Sequence, residues 1–496
     1  MTLSAATVTS LPSRIERHRS LGSRLLWIEL RRNVVPWLLP AIALVFWLDS
    51  YRQTLGQLPT WSGQLAITIG QGHTVIDFGP FVAGAAAWMG SRDGRRDTAD
   101  LVTVTARSRW SGQLVTWLAT TCWAVAGYAA LVGALYAIVA GRVSWGGPPW
   151  WSVVAGTAGV VAFVTLGFTV GALFPGRFVA PLAAFGGFIL LVMSSHAGFS
   201  DRVGAWSILP TSGQGGLGFD SGIFYPFFSG LSIARLVSLS GISLAALGVL
   251  GVRDVCGGER LRQLGAALTM VGLVATGTGV WLLSTARVEA HGAVIPALDG
   301  GASDRLIAYT PVCSGGKVPV CLQPAYRSYL GDLTSAIEPV VHETSGLPGA
   351  PVGVNQVAAS YLAQNSTVDI TGNPPILELA LANLGIGDIG SADFDARTEL
   401  AALHAFLGAG SGSGTMAQQA VQAALLSEVG VSLANQQPPL ANRSGLYDDV
   451  AGPDSKGTPI YALAARLDAH PAAFRSWLAT HLEALRAGRV TLEELP

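Results

Sequence analysis

Seven apolar stretches in the first 284 residues limit what this chain can fold into. A helix needs about 20 apolar residues to cross a bilayer, because backbone amides find no water there. The stretches predict an all-α polytopic membrane domain of about seven transmembrane helices over residues 34–284. They cover residues 34–51, 75–90, 113–140, 151–174, 178–195, 231–252 and 264–284. For the second and fifth, a membrane-embedded helix that does not fully cross remains an alternative.

The last 212 residues differ in character. Residues 285–496 hold no apolar run of about 18 residues, so they predict a separate domain outside the bilayer. Its patterning is mainly helical, with an α/β domain as the alternative if short strands form near 304–312 and 367–370. The predicted helices cover 325–344, 354–364, 395–407, 415–428, 457–468 and 472–487.

Composition supports a membrane protein. Half of the residues are hydrophobic and 12% are charged, against about 25% in soluble domains. The formal net charge of −1 gives no reason to expect nucleic acid as a partner. The preference for arginine over lysine, with much Ala, Gly and Val, is typical of a GC-rich bacterial genome and suggests a bacterial cell membrane.

Arginine counts orient the predicted helices. With the N-terminus in the cytoplasm, the short cytoplasmic segments hold 15 arginines, and the short outer segments hold only Arg52, Arg142 and Arg202. After seven crossings the C-terminal domain is therefore extracytoplasmic. Residues 1–33 form a cytoplasmic leader, in which 13–32 predict a basic amphipathic helix on the inner leaflet; a disordered leader is the alternative.

The cysteines fit this orientation. Cys122 falls in a predicted span and Cys256 in a predicted cytoplasmic turn. Cys313 and Cys321 are the pair in the outer domain, where the compartment permits a disulfide, so we predict that they are bridged. Two unrelated thiols are the alternative.

Motifs for enzymatic chemistry are missing or incomplete. The chain has no G-x-x-x-x-G-K-[ST] sequence, so no P-loop binds ATP. His342 and Glu343 match the start of the zinc motif H-E-x-x-H, but Gly346 replaces the second histidine. The run over 410–414 has the form G-x-S-x-G without a preceding strand and reads as a glycine linker. We therefore expect no enzyme activity, metal or cofactor in this chain.

A few residues inside the predicted spans are candidates for function or packing. Asp77 and Arg235 lie near the outer ends of two spans. Buried ionisable groups in membranes are often functional, but both side chains could instead snorkel to the interface. Gly167 and Gly171 form a G-x-x-x-G motif that permits close helix packing within the chain or between subunits.

The charged stretch between the second and third spans carries a family resemblance. "GRRDTADLVTVTARSRW" resembles a motif of ABC transporter permeases of the type-2 exporter kind, R-x-x-G-T-x-E-L-L-x-x-x-P-x-S-R. Thr98, Leu101, Ser108 and Arg109 stand where that motif has them. Four other positions differ: they are Asp97 for glycine, Asp100 for glutamate, Val102 for leucine and Ala106 for proline. The resemblance covers about residues 13–252.

The resemblance implies an architecture and a function. Residues 13–33 would be an elbow helix, 92–109 a cytoplasmic coupling segment with its helix at about 97–106, and 196–230 a partly re-entrant outer region. The chain would be a permease subunit, and a separate ABC ATP-binding subunit would hydrolyse ATP. Two permeases, as a homodimer or heterodimer, would work with two ATPases and export their substrate. The residues implied in coupling are Arg95, Arg96, Asp97, Thr98, Asp100, Leu101 and Val104.

The chain departs from that family in its seventh span and its large outer domain. With "PAYRSYL" at 324–330 and "WLATHLEALRAGRVTLEELP" at 477–496, the outer domain resembles the tails of some actinobacterial-type permeases, and some such tails are similar to gluzincin aminopeptidase-like domains. The alternative function is a membrane-anchored extracytoplasmic binding or sensor protein, in which the outer domain does the work. One span would be enough for such an anchor, so seven spans favour the permease.

Overall fold

The computed structural model is mainly helical, with a small mixed sheet in the C-terminal part. The residues it describes are 14–48, 61, 65, 68–69, 73–95, 108–197, 205–209, 222–254, 258–289, 292–300, 305–359, 368–384, 389–408, 414–429 and 459–496.

The N-terminal part is built from nine described helices. They are α1 (Arg14–Arg31), α2 (Val35–Phe46), α3 (His73–Gly90), α4 (Arg92–Arg95), α5 (Arg109–Ala140), α6 (Trp150–Leu173), α7 (Val179–Ala197), α8 (Gly230–Val252) and α9 (Gly258–Ser284), with a 3-10 turn at Ala205–Ile208. By length and composition, α5, α6, α8 and α9 are long and apolar enough to cross a membrane. Helices α2 and α7 are apolar with shorter apolar stretches.

Helix α3 lies at the centre of this bundle and packs against α2, α5, α6 and α7. Phe78, Val82 and Ala86 on α3 are fully buried. A Cβ added at Gly167 or Gly171 of α6 would lie 2.2 Å from the carbonyl oxygen of an alanine of α3, Ala83 and Ala87 in turn. The G-x-x-x-G motif is therefore used inside the chain. Small side chains on the buried sides of α3 let the neighbouring helices approach its backbone closely.

Helices α8 and α9 form an antiparallel hairpin held by glycines seven residues apart. On α9 they are Gly265, Gly272 and Gly279. Gly265 and Gly272 face Gly248 and Gly241 of α8, and Gly279 faces Ala234 and Ser238. A Cβ at Gly272 would lie 2.4 Å from the amide nitrogen of Ala245. Seven residues are two helical turns, so these glycines form one stripe along which the two backbones touch.

The C-terminal part begins with a hairpin and continues as an α/β domain. Its elements are β1 (Arg287–Glu289), β2 (Gly292–Val294), α10 (Pro296–Asp299), β3 (Val312–Cys313), β4 (Val320–Leu322), a 3-10 turn (Pro324–Tyr329), α11 (Leu330–Thr344), β5 (Gly353–Gln356), β6 (Val368–Thr371), β7 (Ile376–Leu379), α12 (Leu381–Leu384), α13 (Ala392–Phe406), α14 (Met416–Val429), α15 (Pro459–Asp468), α16 (Pro471–Arg486) and a closing 3-10 turn (Leu492–Glu494).

The sheet of this domain has the strand order β3-β4-β5-β7-β6. Strands β4, β5 and β7 are parallel, while β3 and β6 run antiparallel at the two edges. The strand predicted near 367–370 is confirmed as β6, but in the described part of the run 304–312, which begins at 305, only Val312 belongs to a strand. The predicted helix over 354–364 is wrong in its described part, because Gly353–Gln356 forms the central strand β5.

A short segment of the N-terminal part is buried in the core of the C-terminal domain. Ile223, Phe224 and Tyr225, which precede α8, are buried in the hydrophobic core of the C-terminal domain. The Phe224 carbonyl accepts a hydrogen bond from the Ile307 amide at 2.8 Å, and the Phe224 ring meets Tyr309 edge to face with centroids 5.6 Å apart. Residues before α8 therefore help to fold a domain whose other elements all follow α9.

Candidate functional site

One end of the helical bundle carries most of its arginines. The C-terminal ends of α3, α6 and α8 lie there, and α5, α7 and α9 begin there. We call this end the basic face. Its described arginines are Arg31, Arg32, Arg92, Arg95, Arg109, Arg177, Arg253, Arg260 and Arg262.

At the basic face, α4 is tied to the amphipathic helix α1. Two nitrogens of the Arg92 guanidinium donate to the two carboxylate oxygens of Glu29, both at 2.9 Å. These hydrogen bonds raise the pKa of Arg92 above its ordinary value, although burial opposes the shift. A bidentate arginine–carboxylate salt bridge fixes orientation as well as distance, so α1 and α4 are held in one relative position.

The next arginine folds back onto α3. The Arg95 guanidinium lies 3.4 Å from the centroid of the Trp88 ring, and its Nη2 donates to the Trp88 carbonyl at 2.8 Å. Gly94 touches the turn after α6, since a Cβ there would lie 2.3 Å from Cβ of Pro175. The chain therefore leaves α3 along a path fixed by α1, α3 and the α6–α7 turn.

The start of α5 is fixed to a different helix. Ser108 caps α5 by accepting from the Ser111 amide at 3.3 Å. The Trp110 amide donates to Oδ2 of the buried Asp254, at the end of α8, at 2.9 Å. The Trp110 indole donates to the Leu247 carbonyl at 3.2 Å. Asp254 thus satisfies an amide that α5 cannot pair internally.

The contacts of Arg92 and Arg95 on one side, and of Trp110 on the other, fix the chain at the two ends of the predicted coupling segment. Of the residues implied in coupling, Arg95 is described and lies at the first boundary. The others lie outside the described residues, and they are Arg96, Asp97, Thr98, Asp100, Leu101 and Val104. The first boundary is tied to α1 and α3, and the second is tied to α8.

The two ionisable residues predicted inside the bundle are buried. Arg235 on α8 is 1% exposed, and its Nε donates to the Ser207 carbonyl at 2.9 Å. Asp77 near the start of α3 is 8% exposed. The 3-10 turn at 205–208 covers Arg235 and supplies this acceptor.

An apolar groove of about 500 Å³ opens between α5, α6 and α8. The hydroxyls of Thr157 and Ser243 on its wall donate to carbonyls of their own helices, at 2.8 and 2.9 Å. Trp117 closes one end, where its indole donates to Thr165 at 3.0 Å. Because these hydroxyls already donate hydrogen bonds within their own helices, the surface that lines the groove is mainly apolar.

The C-terminal domain contains the predicted disulfide. Cys313 on β3 and Cys321 on β4 are directly opposite each other in the antiparallel pair, and they are bridged. The bridge lies at the edge of the sheet and joins its shortest strand to the parallel strands. The alternative of two unrelated thiols is therefore wrong.

The partial zinc motif has a structural role in the fold. Glu343 binds Arg475 of α16, and Glu428 of α14 lies beside them, 4.0 Å from the same guanidinium. Burial favours a raised pKa for Glu343, but its interactions with Glu428 and Arg475 lower it. Burial, and then the neighbouring Glu343, raises the pKa of Glu428 to about 7. The cluster therefore joins three helices with one carboxylate ionised and the other protonated below pH 7.

Within the described ranges, no group of three or more His, Cys, Asp or Glu side chains is arranged to hold a metal ion. Glu29 and Asp254 were not predicted as functional residues from the sequence, although their contacts lie at the two boundaries of the coupling segment. Each is an acidic residue beside arginines, Glu29 shortly before an apolar stretch and Asp254 just after one. An acidic residue beside arginines at the end of an apolar stretch can therefore indicate a contact that fixes a helix end.

Comparison of the whole chain with protein-family models, with curated proteins and with solved structures finds no match.

Proposed function

We propose that this chain is the membrane-spanning permease subunit of an ATP-driven exporter, and that a separate ABC ATP-binding subunit supplies the energy. The observation that carries the proposal is the way in which segment 96–107 is bounded. Arg92 and Arg95 tie the chain before it to α1 and α3, and Asp254 ties the chain after it to α8. A partner that moves this segment would act on both groups of helices.

The mechanism follows from these two attachments. A push on the segment would be carried by the Arg92–Glu29 pair to α1 and α3, and through Trp110 to α5 and α8. Helix α3 packs against α6 and α7 through small residues, and α6 also packs along α8. A displacement of the segment would therefore change the packing of α6 on α8 and open a path to one side of the membrane and then the other.

The proposed topology has seven crossings with the N-terminus in the cytoplasm. Four described helices have the length and apolar composition to cross, and we assign α2, α3 and α7 as the remaining crossings. The basic face is then cytoplasmic by the positive-inside rule. The C-terminal domain is then extracytoplasmic, which agrees with its disulfide. We assign the protein to a bacterial cell membrane as a dimer of permeases with two ATPases.

The test uses the substitution Leu101→Glu in the coupling segment. A glutamate there should block docking of the partner, since an apolar side chain would be replaced by a charge at the proposed contact. Leu306→Glu is the matched control, because Leu306 is an exposed leucine in the C-terminal domain. Each protein is purified from its native membrane, and the co-purifying ATP-binding subunit and its ATPase activity are measured.

The proposal expects partner capture and ATPase stimulation to fall with Leu101→Glu and to persist with Leu306→Glu, while both proteins insert into the membrane. Equal capture and stimulation by both variants, or no ATP-binding subunit bound to the unaltered chain, would contradict it. The second outcome would favour a membrane-anchored binding or sensor protein.

A further inference from the structure

A large open cavity lies at the basic face, where α1 meets the ends of α3 and α6. Its volume is about 1330 Å³. Its walls come from the end of α1 and the start of α2, the end of α3 with α4, and the turn between α6 and α7. The cavity therefore opens at the level where apolar helices end and charged residues begin, which is the interfacial layer of a membrane.

The polar side of the cavity is positively charged. Arg32, Arg92, Arg95 and Arg177 line it, against the carboxylates of Glu29 and Asp93. Glu29 already accepts hydrogen bonds from both terminal nitrogens of Arg92. Arg32 and Arg177 are exposed and form no salt bridge with an acid in the part of the chain that the structure describes. Two guanidiniums that line the cavity thus have no described acid to neutralise them.

The remaining wall is apolar and aromatic. Trp37 is 83% exposed, and Trp88 presents its ring beneath the Arg95 guanidinium. Val34, Met89 and Pro175 complete this side. A free inorganic anion would gain nothing from these surfaces, whereas a phospholipid presents a phosphate joined to an apolar body. Tryptophan is the residue that favours this layer of the membrane.

We propose that this cavity binds the headgroup of an anionic phospholipid, with the phosphate between Arg32 and Arg177 and the glycerol and first acyl carbons against Trp37. A zwitterionic lipid fits less well, because its ammonium would lie among four guanidiniums. The proposal requires the helices to be in a membrane but does not depend on transport. A bound lipid would brace α1 against α4 and the α6–α7 turn.

The test measures lipid binding to the full chain in a neutral detergent by native mass spectrometry. The probes are phosphatidylglycerol, phosphatidylcholine of the same acyl chains, and inorganic phosphate as a competitor. The double variant Arg32→Gln with Arg177→Gln removes the two available cations. Its matched control is Arg260→Gln with Arg262→Gln, two exposed arginines at the start of α9 on the same face but outside the cavity.

We expect saturable binding of phosphatidylglycerol, weakened about 30-fold in the cavity variant and little changed in the control. Equal binding of phosphatidylcholine, equal loss in both variants, or displacement of the lipid by millimolar inorganic phosphate would each overturn the proposal. Should the double variant fail to fold, each single variant is measured, with about a fivefold loss expected for either.

Discussion

The glycine stripe between α8 and α9 makes a prediction that a single methyl group can test. Replacing Gly272 with alanine would place its Cβ 2.4 Å from the Ala245 nitrogen and 2.6 Å from the Gly241 carbonyl oxygen. Ordinary contacts of this kind are about 3.5 Å, so the two backbones would have to separate by about 1 Å. The separation cannot stay local, because a helix moves as a rigid rod and carries Gly265 and Gly279 with it.

The expected cost follows from that displacement. A gap of about 1 Å removes up to half of each contact energy along the stripe, and overpacking of this kind costs about 1–3 kcal/mol. We therefore expect Gly272→Ala to lower the free energy of unfolding by about 2 kcal/mol, or about 30-fold in the equilibrium constant. The control is Gly277→Ala on the same helix, where a Cβ meets nothing within 4 Å. Alanine there should be neutral or stabilising, because it favours helix more than glycine does.

The assay is unfolding of the purified chain by titrating a denaturing detergent into a mild one, followed by amide exchange over residues 265–279. Gly272→Ala should unfold earlier and exchange faster in this helix, and Gly277→Ala should do neither. If the two variants behave alike, close backbone contact does not hold the hairpin. Arg287–Glu289 follows directly after α9, so a loosened hairpin should also raise exchange in β1.

Three further predictions concern the C-terminal domain. Replacing Cys313 and Cys321 with serine should cost about 2–3 kcal/mol of stability, because the bridge closes a short loop in the unfolded chain; equal melting temperatures with and without reductant would contradict this. Glu428 has a folded pKa of about 7 against an ordinary 4.5, so the folded state holds an extra proton between these values and stability falls as pH rises through this window. Glu428→Gln should thus raise the melting temperature at pH 8 and leave it unchanged at pH 5. The pKa of Glu399 is also about 7, but Glu399 is present in both proteins, so its contribution to the pH dependence cancels when the variant is compared with the unaltered chain. An equal rise at both values would refute the assignment. Gln323→Leu removes the buried amide that donates to the Ile223 carbonyl, so the Ile307 amide, which bonds the next residue, should exchange faster with solvent; unchanged exchange would show that the side-chain bond is dispensable there.

Apolar length predicted where the helices of the N-terminal part lie, and four of them are long and apolar enough to cross a membrane. Each predicted span overlaps a described helix, and the positions of the breaks are close to those expected. The helix ends are less predictable, since polar contacts decide them. Helix α5 begins at Arg109, four residues before the predicted span, because Ser108 caps it and Asp254 accepts from Trp110. Neither contact leaves a trace in hydropathy.

The features that sequence reasoning missed depend on residues far apart in the chain. The Arg92–Glu29 pair joins positions 63 apart, and Trp110 and Asp254 are 144 apart. The same limit explains strand β5. Its run continues into alanines that favour helix, but the parallel ladders with β4 and β7 decide its conformation. Local patterns predict an element when its own side chains decide the outcome, and fail when partners do.

The burial of Ile223, Phe224 and Tyr225 in the C-terminal domain has a consequence for the order of folding. These residues are synthesised before α8 and α9, so they are in place before the rest of that core has left the ribosome. The domain must then close around side chains that precede α8, and residues 285–496 alone would leave a hole where the Phe224 ring packs on Tyr309. Correct placement of α8 and α9 is thus a precondition for completing the C-terminal domain, and a failure to place them would appear first as misfolding of that domain.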